Sequence, residues 1–129
     1  MKEIKFFIPG KCIPKLRPRF ARIETKKKKF VQTYTSKATR IYENKVSLFA
    51  NKYNIPDQPL EVELEFNFKR PKSASKRIFH NVKPDIDNLI KSTLDGLRIK
   101  DQIIYRLSAL KQYSDYEGVL ITIKYKEDK

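Results

Sequence analysis

The sequence predicts an α+β domain, one mixed β-sheet carrying two helices, and three observations predict it. Leu60 to Lys69 alternates Leu60, Val62, Leu64, Phe66 and Phe68 with Glu61, Glu63, Glu65, Asn67 and Lys69. That period of two buries one face of a sheet and wets the other. Two other stretches, Ser36 to Tyr53 and Asp87 to Leu97, repeat their apolar residues at helical spacing. The remaining apolar segments are short and flanked by Pro, Gly or charge, so the predicted order is ββαβαββ without internal repeats. At 129 residues the chain has room for a single domain, 1–129, with a real core.

Ile4 to Ile8 is rich in Ile and Phe and stops at Pro9-Gly10, as a first strand closed by a turn would. It is too short for the apolar core of a secretory signal, which predicts a cytoplasmic protein. Lys11 to Lys29 follows with nine Lys or Arg, one acid (Glu24) and two prolines. Such a run predicts a loop or frayed hairpin, either solvated or tracking a phosphate backbone. Phe30 to Tyr34 predicts a second strand, paired with the first. In the first helix Ala38, Ile41, Tyr42, Leu48, Phe49 and Tyr53 share the apolar face, and Asn54 to Pro59, with its two prolines, ends it. After the alternating strand, Gln102 to Tyr113 puts Ile103, Tyr105, Leu107 and Ala109 on one side. Val119 to Tyr125 does the same with Val119, Ile121, Ile123 and Tyr125, and Ser114 to Gly118 between them predicts a hairpin loop.

Composition narrows the function. A formal net charge of +14 and a pI near 9.9 point to an anionic partner. Nucleic acid fits better than a membrane, because the chain has no long apolar run and no strongly basic amphipathic helix. One cysteine, Cys12, excludes an internal disulfide, and one histidine, His80, excludes zinc fingers and most His-based nucleases. Arg70 to Lys83 holds five Lys or Arg and no acid; with Lys11 to Lys29 it gathers 14 of the 29 basic residues and one of the 15 acids. A positive surface of this kind, flanking a negative pocket, draws a polyanion towards metal ions. Within it, Phe79 either stacks on an unpaired base or anchors the loop, and the anchor is the expected role.

The negative pocket is expected in Lys83 to Asp101, KPDIDNLIKSTLDGLRIKD, which holds four aspartates and no glutamate. Asp85 and Asp87 are two apart, on the same side of extended backbone but nearly opposed on a helix. With Pro84 ahead of them, Asp85 is expected in an extended or first-turn lead-in and Asp87 near the N-cap of a helix to about Leu97. Ile86, Leu89, Ile90, Thr93, Leu94 and Leu97 form its buried stripe, with Asp87, Lys91 and Asp95 on the opposite flank. Two carboxylates at the positive end of a helix suit Mg²⁺, which takes oxygen ligands and keeps water and substrate phosphate beside one or two carboxylates. Asp101 could fold back as a third ligand, and Lys91 could neutralise charge building on a phosphate. Asp95 in the last turn opposes the helix dipole unless a cation sits near it. A plainer account also fits these residues: Pro-Asp as a helix start, Asp-Gly as a helix stop, and Asp87 to Lys91 as an ion pair one turn apart.

The segment KPDIDNLIKSTLDGL, followed by DQII at Asp101 to Ile104, resembles the signature of the RusA family of Holliday junction resolvases, small crossover junction endodeoxyribonucleases common in prophages. The run Arg-Pro-Lys-Ser-x-Ser-Lys at Arg70 to Lys76 and the run Lys-x-Arg-Pro-Arg at Lys15 to Arg19 also resemble family features. The chain departs from the pattern in having a single aspartate before Gln102. The resemblance implies a RusA-like domain and Mg²⁺-dependent phosphodiester cleavage by a homodimer acting on four-way junctions in DNA recombination and repair. It implies Asp85, Asp87 and Asp101 as metal ligands and Lys91 as the catalytic lysine. The basic residues expected to contact DNA are Lys15, Arg17, Arg19, Lys72, Lys76, Arg77 and Lys83. Two rivals stand beside this reading: a flap or other branched-DNA nuclease, and a non-enzymatic basic nucleic-acid-binding module whose aspartates only cap a helix.

Overall fold

The computed structural model describes residues 1–15, 19–24, 29–34, 36–72 and 76–127. Its elements are β1 (Lys2–Pro9), β2 (Arg19–Glu24), β3 (Lys29–Tyr34), α1 (Lys37–Ala50), β4 (Leu60–Lys69), α2 (Ile86–Leu97), β5 (Ile104–Ser114) and β6 (Gly118–Tyr125). A four-stranded mixed sheet in the order β1-β6-β4-β5 carries the two helices, as the α+β reading expects. No helix among the described residues is long and apolar enough to cross a membrane.

The alternation in β4 has the predicted outcome: Leu60, Val62, Leu64, Phe66 and Phe68 are all buried. On the opposite face Lys124 of β6 reaches Glu63 at 3.4 Å and Glu61 at 3.9 Å, so these glutamates belong to a wet sheet surface with its own counter-ion. Burying five large side chains at about 1.5–3 kcal/mol each makes β4 the centre of the core. Ile8 of β1, Val119, Ile121 and Ile123 of β6, and Val46 and Leu89 from the helices complete it.

Two strand pairings differ from expectation. Phe30 to Tyr34 pairs with Arg19–Glu24 in a separate two-stranded sheet, while β1 pairs antiparallel with β6. β5 and β6 form no hairpin, because β4 lies between them, parallel to β5 and antiparallel to β6. The turn after β5 therefore carries the chain across the end of β4, where Arg70 lies 3.9 Å from Asp115. β5 is the sheet edge, which explains why Tyr105 and Leu107, expected on a buried side, are exposed.

The buried face of α1 differs in part, with Tyr42 buried and Phe49 and Tyr53 packed on the core as expected. Thr39, Tyr42, Val46 and Ala50 face inward, whereas Ile41 and Leu48 are exposed. Polar satisfaction decides this: the Thr39 hydroxyl donates to Pro14 O at 2.9 Å, and the Tyr42 hydroxyl meets Thr93 Oγ1 at 2.8 Å in the core. Burial pushes the Tyr42 phenol above its ordinary range. The same surroundings push the Cys12 thiol up to about 12, chiefly by desolvation, so Cys12 is a buried apolar filler and not a nucleophile. Gly96 lies inside α2 and is not its stop. A Cβ there would stand 2.7 Å from Val46 Cβ and 2.9 Å from Glu43 O, so its absence lets α1 and α2 close together. α2 instead ends at Arg98, in the left-handed conformation, whose N–H returns to Asp95 O.

Candidate metal and nucleic-acid site

Asp85 is the N-cap residue of α2, extended as expected, and Asp87 is in the first helical turn. A capping aspartate ordinarily spends its carboxylate on a backbone N–H of that turn. Asp85 makes no such bond. The plainer account of Asp85 as a cap therefore lacks its defining contact. Among the described residues Asp87 Oδ1 accepts only its neighbour's Asn88 N–H, at 2.9 Å. Both side chains are exposed at the end of the helix where the dipole favours negative charge.

Asp87 stands between two depressions. One is lined by Asp85, Asp87, Lys83, His80, Ala109 and Lys111. The other is lined by Asp87, Ile90, Lys91, Leu94, Asp95 and Asp101. Asp101 opens a short 3₁₀ turn before β5 and lines the second depression with Asp87. Among the described residues no group of three or more acids, His or Cys gathers closely enough to hold a metal ion by itself. The donor type still suits a hard divalent ion, which takes carboxylate oxygens: Asp85 and Asp87 line one depression and Asp87 and Asp101 the other, all three exposed. Asp85 with Asp87, or Asp87 with Asp101, are the carboxylates that could hold it.

Asp95 is of another kind. Lys15 reaches it at 3.2 Å and Glu43 at 2.9 Å, tying the segment after β1 to both helices, and Lys91 approaches Asp95 at 3.9 Å. Burial works against the Lys15 ammonium, but the two carboxylates outweigh it and hold the group above the usual lysine range. Asp95 thus has the cation its place at a helix C-terminus requires. Lys91, which the plainer account pairs with Asp87, pairs with Asp95, and it stays 60% exposed in the depression it lines with Asp87 and Asp101. Ile86, assigned to the buried stripe, is exposed because it sits in the first turn, ahead of the stripe that Leu89, Thr93, Leu94 and Leu97 form.

Four of the basic residues lie on the chain that leads into α2. Lys83 borders Asp85 directly, and Lys72, Lys76 and Arg77 are exposed on the preceding loop. Arg17 lies outside the described residues, and Arg19 is described only as backbone of β2. The Phe79 ring does not anchor the loop, since the residue is 63% exposed, although its backbone bridges to Gln112 of β5. The anchor is His80, buried and stacked on Phe68 with ring centroids 4.0 Å apart and tilted against Tyr113 at 5.1 Å. Its Nδ1 is buried without a hydrogen-bond partner among the described residues. Desolvation, helped by nearby Lys111, lowers the His80 pKa.

Lys111 carried no sequence signal, being one lysine in an alternating strand. Its Nζ donates to Val82 O at 2.7 Å and Pro84 O at 2.5 Å. Burial lowers its pKa, opposed by the charge of Asp85. It is the one basic side chain of β5 that lines the Asp85 depression.

A search of curated proteins finds no match to this chain. A family comparison does: residues 9–124 match the family described as Endodeoxyribonuclease RusA, a span that runs from the end of β1 into β6 and includes both helices and all four aspartates. With nearly the whole fold inside that match, the chain belongs to the RusA family of DNA-cutting endonucleases.

Proposed function

We propose that this protein is a Mg²⁺-dependent, structure-selective endodeoxyribonuclease that resolves Holliday junctions by paired symmetric nicks in DNA recombination and repair. The family match supports DNA cleavage. The observation that carries the site is the uncapped, exposed carboxylate of Asp85 beside that of Asp87 in a chain of net charge +14. Exposed carboxylates that neither cap the helix nor meet a salt bridge among the described residues are free to take a hard cation as ligand.

In this reading Asp85, Asp87 and Asp101 hold the divalent ion or ions. When bound, the metal supplies Lewis-acid stabilisation of the charge that builds on the scissile phosphate. Lys91, exposed beside Asp87 and Asp101, lies against that phosphate and adds positive charge to it. Lys72, Lys76, Arg77 and Lys83 hold neighbouring phosphates and fix the backbone over the carboxylates, while exposed Phe79 offers a face on which an unpaired base can stack. Arg17 and Arg19 are further basic residues of this reading that would contact DNA phosphate. Lys15, engaged by Glu43 and Asp95, contributes by holding α1 and α2 in place. Paired nicks need two sites and the chain offers one, so the active form is a two-fold homodimer acting on branched DNA in the cytoplasm.

The experiment is a nicking assay on four-way, three-way, flap and linear duplex DNA in Mg²⁺, Ca²⁺ and chelator. Nicking in Mg²⁺ that is strongest on the four-way junction, symmetric in two strands and absent in chelator is the expected result. Preference for the flap would move the target to another branched structure. Equal rates on linear duplex would remove structure selectivity, and no metal-dependent nicking on any substrate would leave a DNA-binding module.

A further inference from the structure

We propose that Lys111 is a positioning residue of the cleavage site, clamping the turn that delivers Asp85 so that its carboxylate is held for a divalent ion. The inference rests on the metal reading above and adds a residue from a different element. The turn at 81–85 leaves the sheet and enters α2, and it has no regular secondary structure of its own. What holds it is β5. Tyr113 N–H donates to Ile78 O at 2.9 Å and His80 N–H to Lys111 O at 3.2 Å, which pins the start of the segment by backbone. The rest is pinned by a side chain: the Lys111 ammonium bonds the carbonyls of Val82 and Pro84, on either side of Lys83 and directly before Asp85. His80, wedged between Phe68 and Tyr113, fixes the point where one mode of attachment gives way to the other.

Two features mark this as more than a loop tie. Lys111 lines the same depression as Asp85 and Asp87, so it brings its charge to the carboxylates while its protons bond carbonyl oxygens. Asp85 is therefore not consumed by a salt bridge: among the described residues no cation reaches it within ion-pair distance. Groups behind a ligand that fix its orientation help set metal affinity, and their loss typically weakens binding about 10–100-fold.

Clamp and charge predict opposite signs, which makes the proposal testable. Removing a nearby positive charge alone would tighten cation binding; removing the clamp weakens it. Mn²⁺ titration by calorimetry on the full chain, without DNA, compares the parent with Lys111→Met and Lys111→Arg. The expected result is a Kd for Mn²⁺ raised about tenfold or more in Lys111→Met, largely recovered in Lys111→Arg, with four-way junction affinity in chelator changed less than about twofold. Mn²⁺ binding in Lys111→Met as tight as in the parent, or tighter, overturns the clamp. Should Lys111→Met not fold, the unaltered protein decides. Its Lys111 ammonium should give a discrete, slowly exchanging NMR signal, and an ammonium that exchanges as fast as surface lysines overturns the proposal. A parent that takes up no Mn²⁺ sinks the metal reading instead, and the NMR signal still judges the clamp.

Discussion

The two ends of α2 treat the same residue type in opposite ways. Near the C-terminus Asp95 is met by Lys15 at 3.2 Å and Lys91 at 3.9 Å, in a corner where Gly96 brings α1 hard against the helix. At the N-terminus Asp85 and Asp87 are exposed, and among the described residues no salt bridge reaches them. An aspartate whose charge the fold compensates is part of the architecture, while one the fold leaves open is available to a ligand. The difference lies in what the rest of the chain brings to each end: a lysine that bonds carboxylates at one, a lysine that bonds carbonyls at the other.

Substitutions that remove one charge at a time set the two ends apart. Asp85→Asn and Asp87→Asn should each lower Mg²⁺-dependent nicking by about 10²-fold or more while four-way junction binding in chelator is retained. Gel-based nicking and binding on the same preparations check this, and unaltered nicking in both would erase the contrast. At the other end, Gly96→Val should cost about 1–3 kcal/mol or more in urea melts, because backbone and Val46 occupy the added volume. Lys15→Met should cost about 1 kcal/mol by leaving Glu43 and Asp95 to repel each other at partly exposed positions, again read from urea midpoints.

The smallest expected effect concerns pH. His80 has a lowered pKa in the fold, so the unfolded chain binds its proton first as pH falls. Stability should therefore be fully present above about pH 6.5 and decline below it, down towards the lower folded value. Melting temperature against pH for the parent and His80→Phe checks the sign: the variant should lose part of the slope below about pH 6.5. An identical slope in both would show that His80 is not the group responsible.

Much of this architecture was legible in the sequence, and what was not has physical causes. β4 was readable because alternation over ten residues has one interpretation, and the stripe of α2 because Leu89, Thr93, Leu94 and Leu97 recur at helical spacing. The pairing of β5 was not, since a short turn after a strand looks the same whether the chain doubles back beside that strand or crosses a neighbour. The face of α1 was read only in part: Tyr42 is inside as expected, but hydrophobicity favoured Ile41 and Leu48 where the core took Thr39, whose hydroxyl finds a partner there, and Val46. At the site, four aspartates in nineteen residues stood out, but their division into two kinds did not, because Lys15 lies 80 residues from Asp95 in the chain. His80 and Lys111 gave no local signal for a similar reason: each acquires meaning only when the loop before α2 is laid against β5.

The most direct test of the central claim is calorimetric titration of Mn²⁺ into Asp87→Asn and Asp95→Asn, two removals of one carboxylate charge, two turns apart on one helix. The account predicts that Asp87→Asn loses measurable Mn²⁺ binding while Asp95→Asn binds within about threefold of the parent. Equal losses in the two variants, or binding lost only in Asp95→Asn, would contradict it.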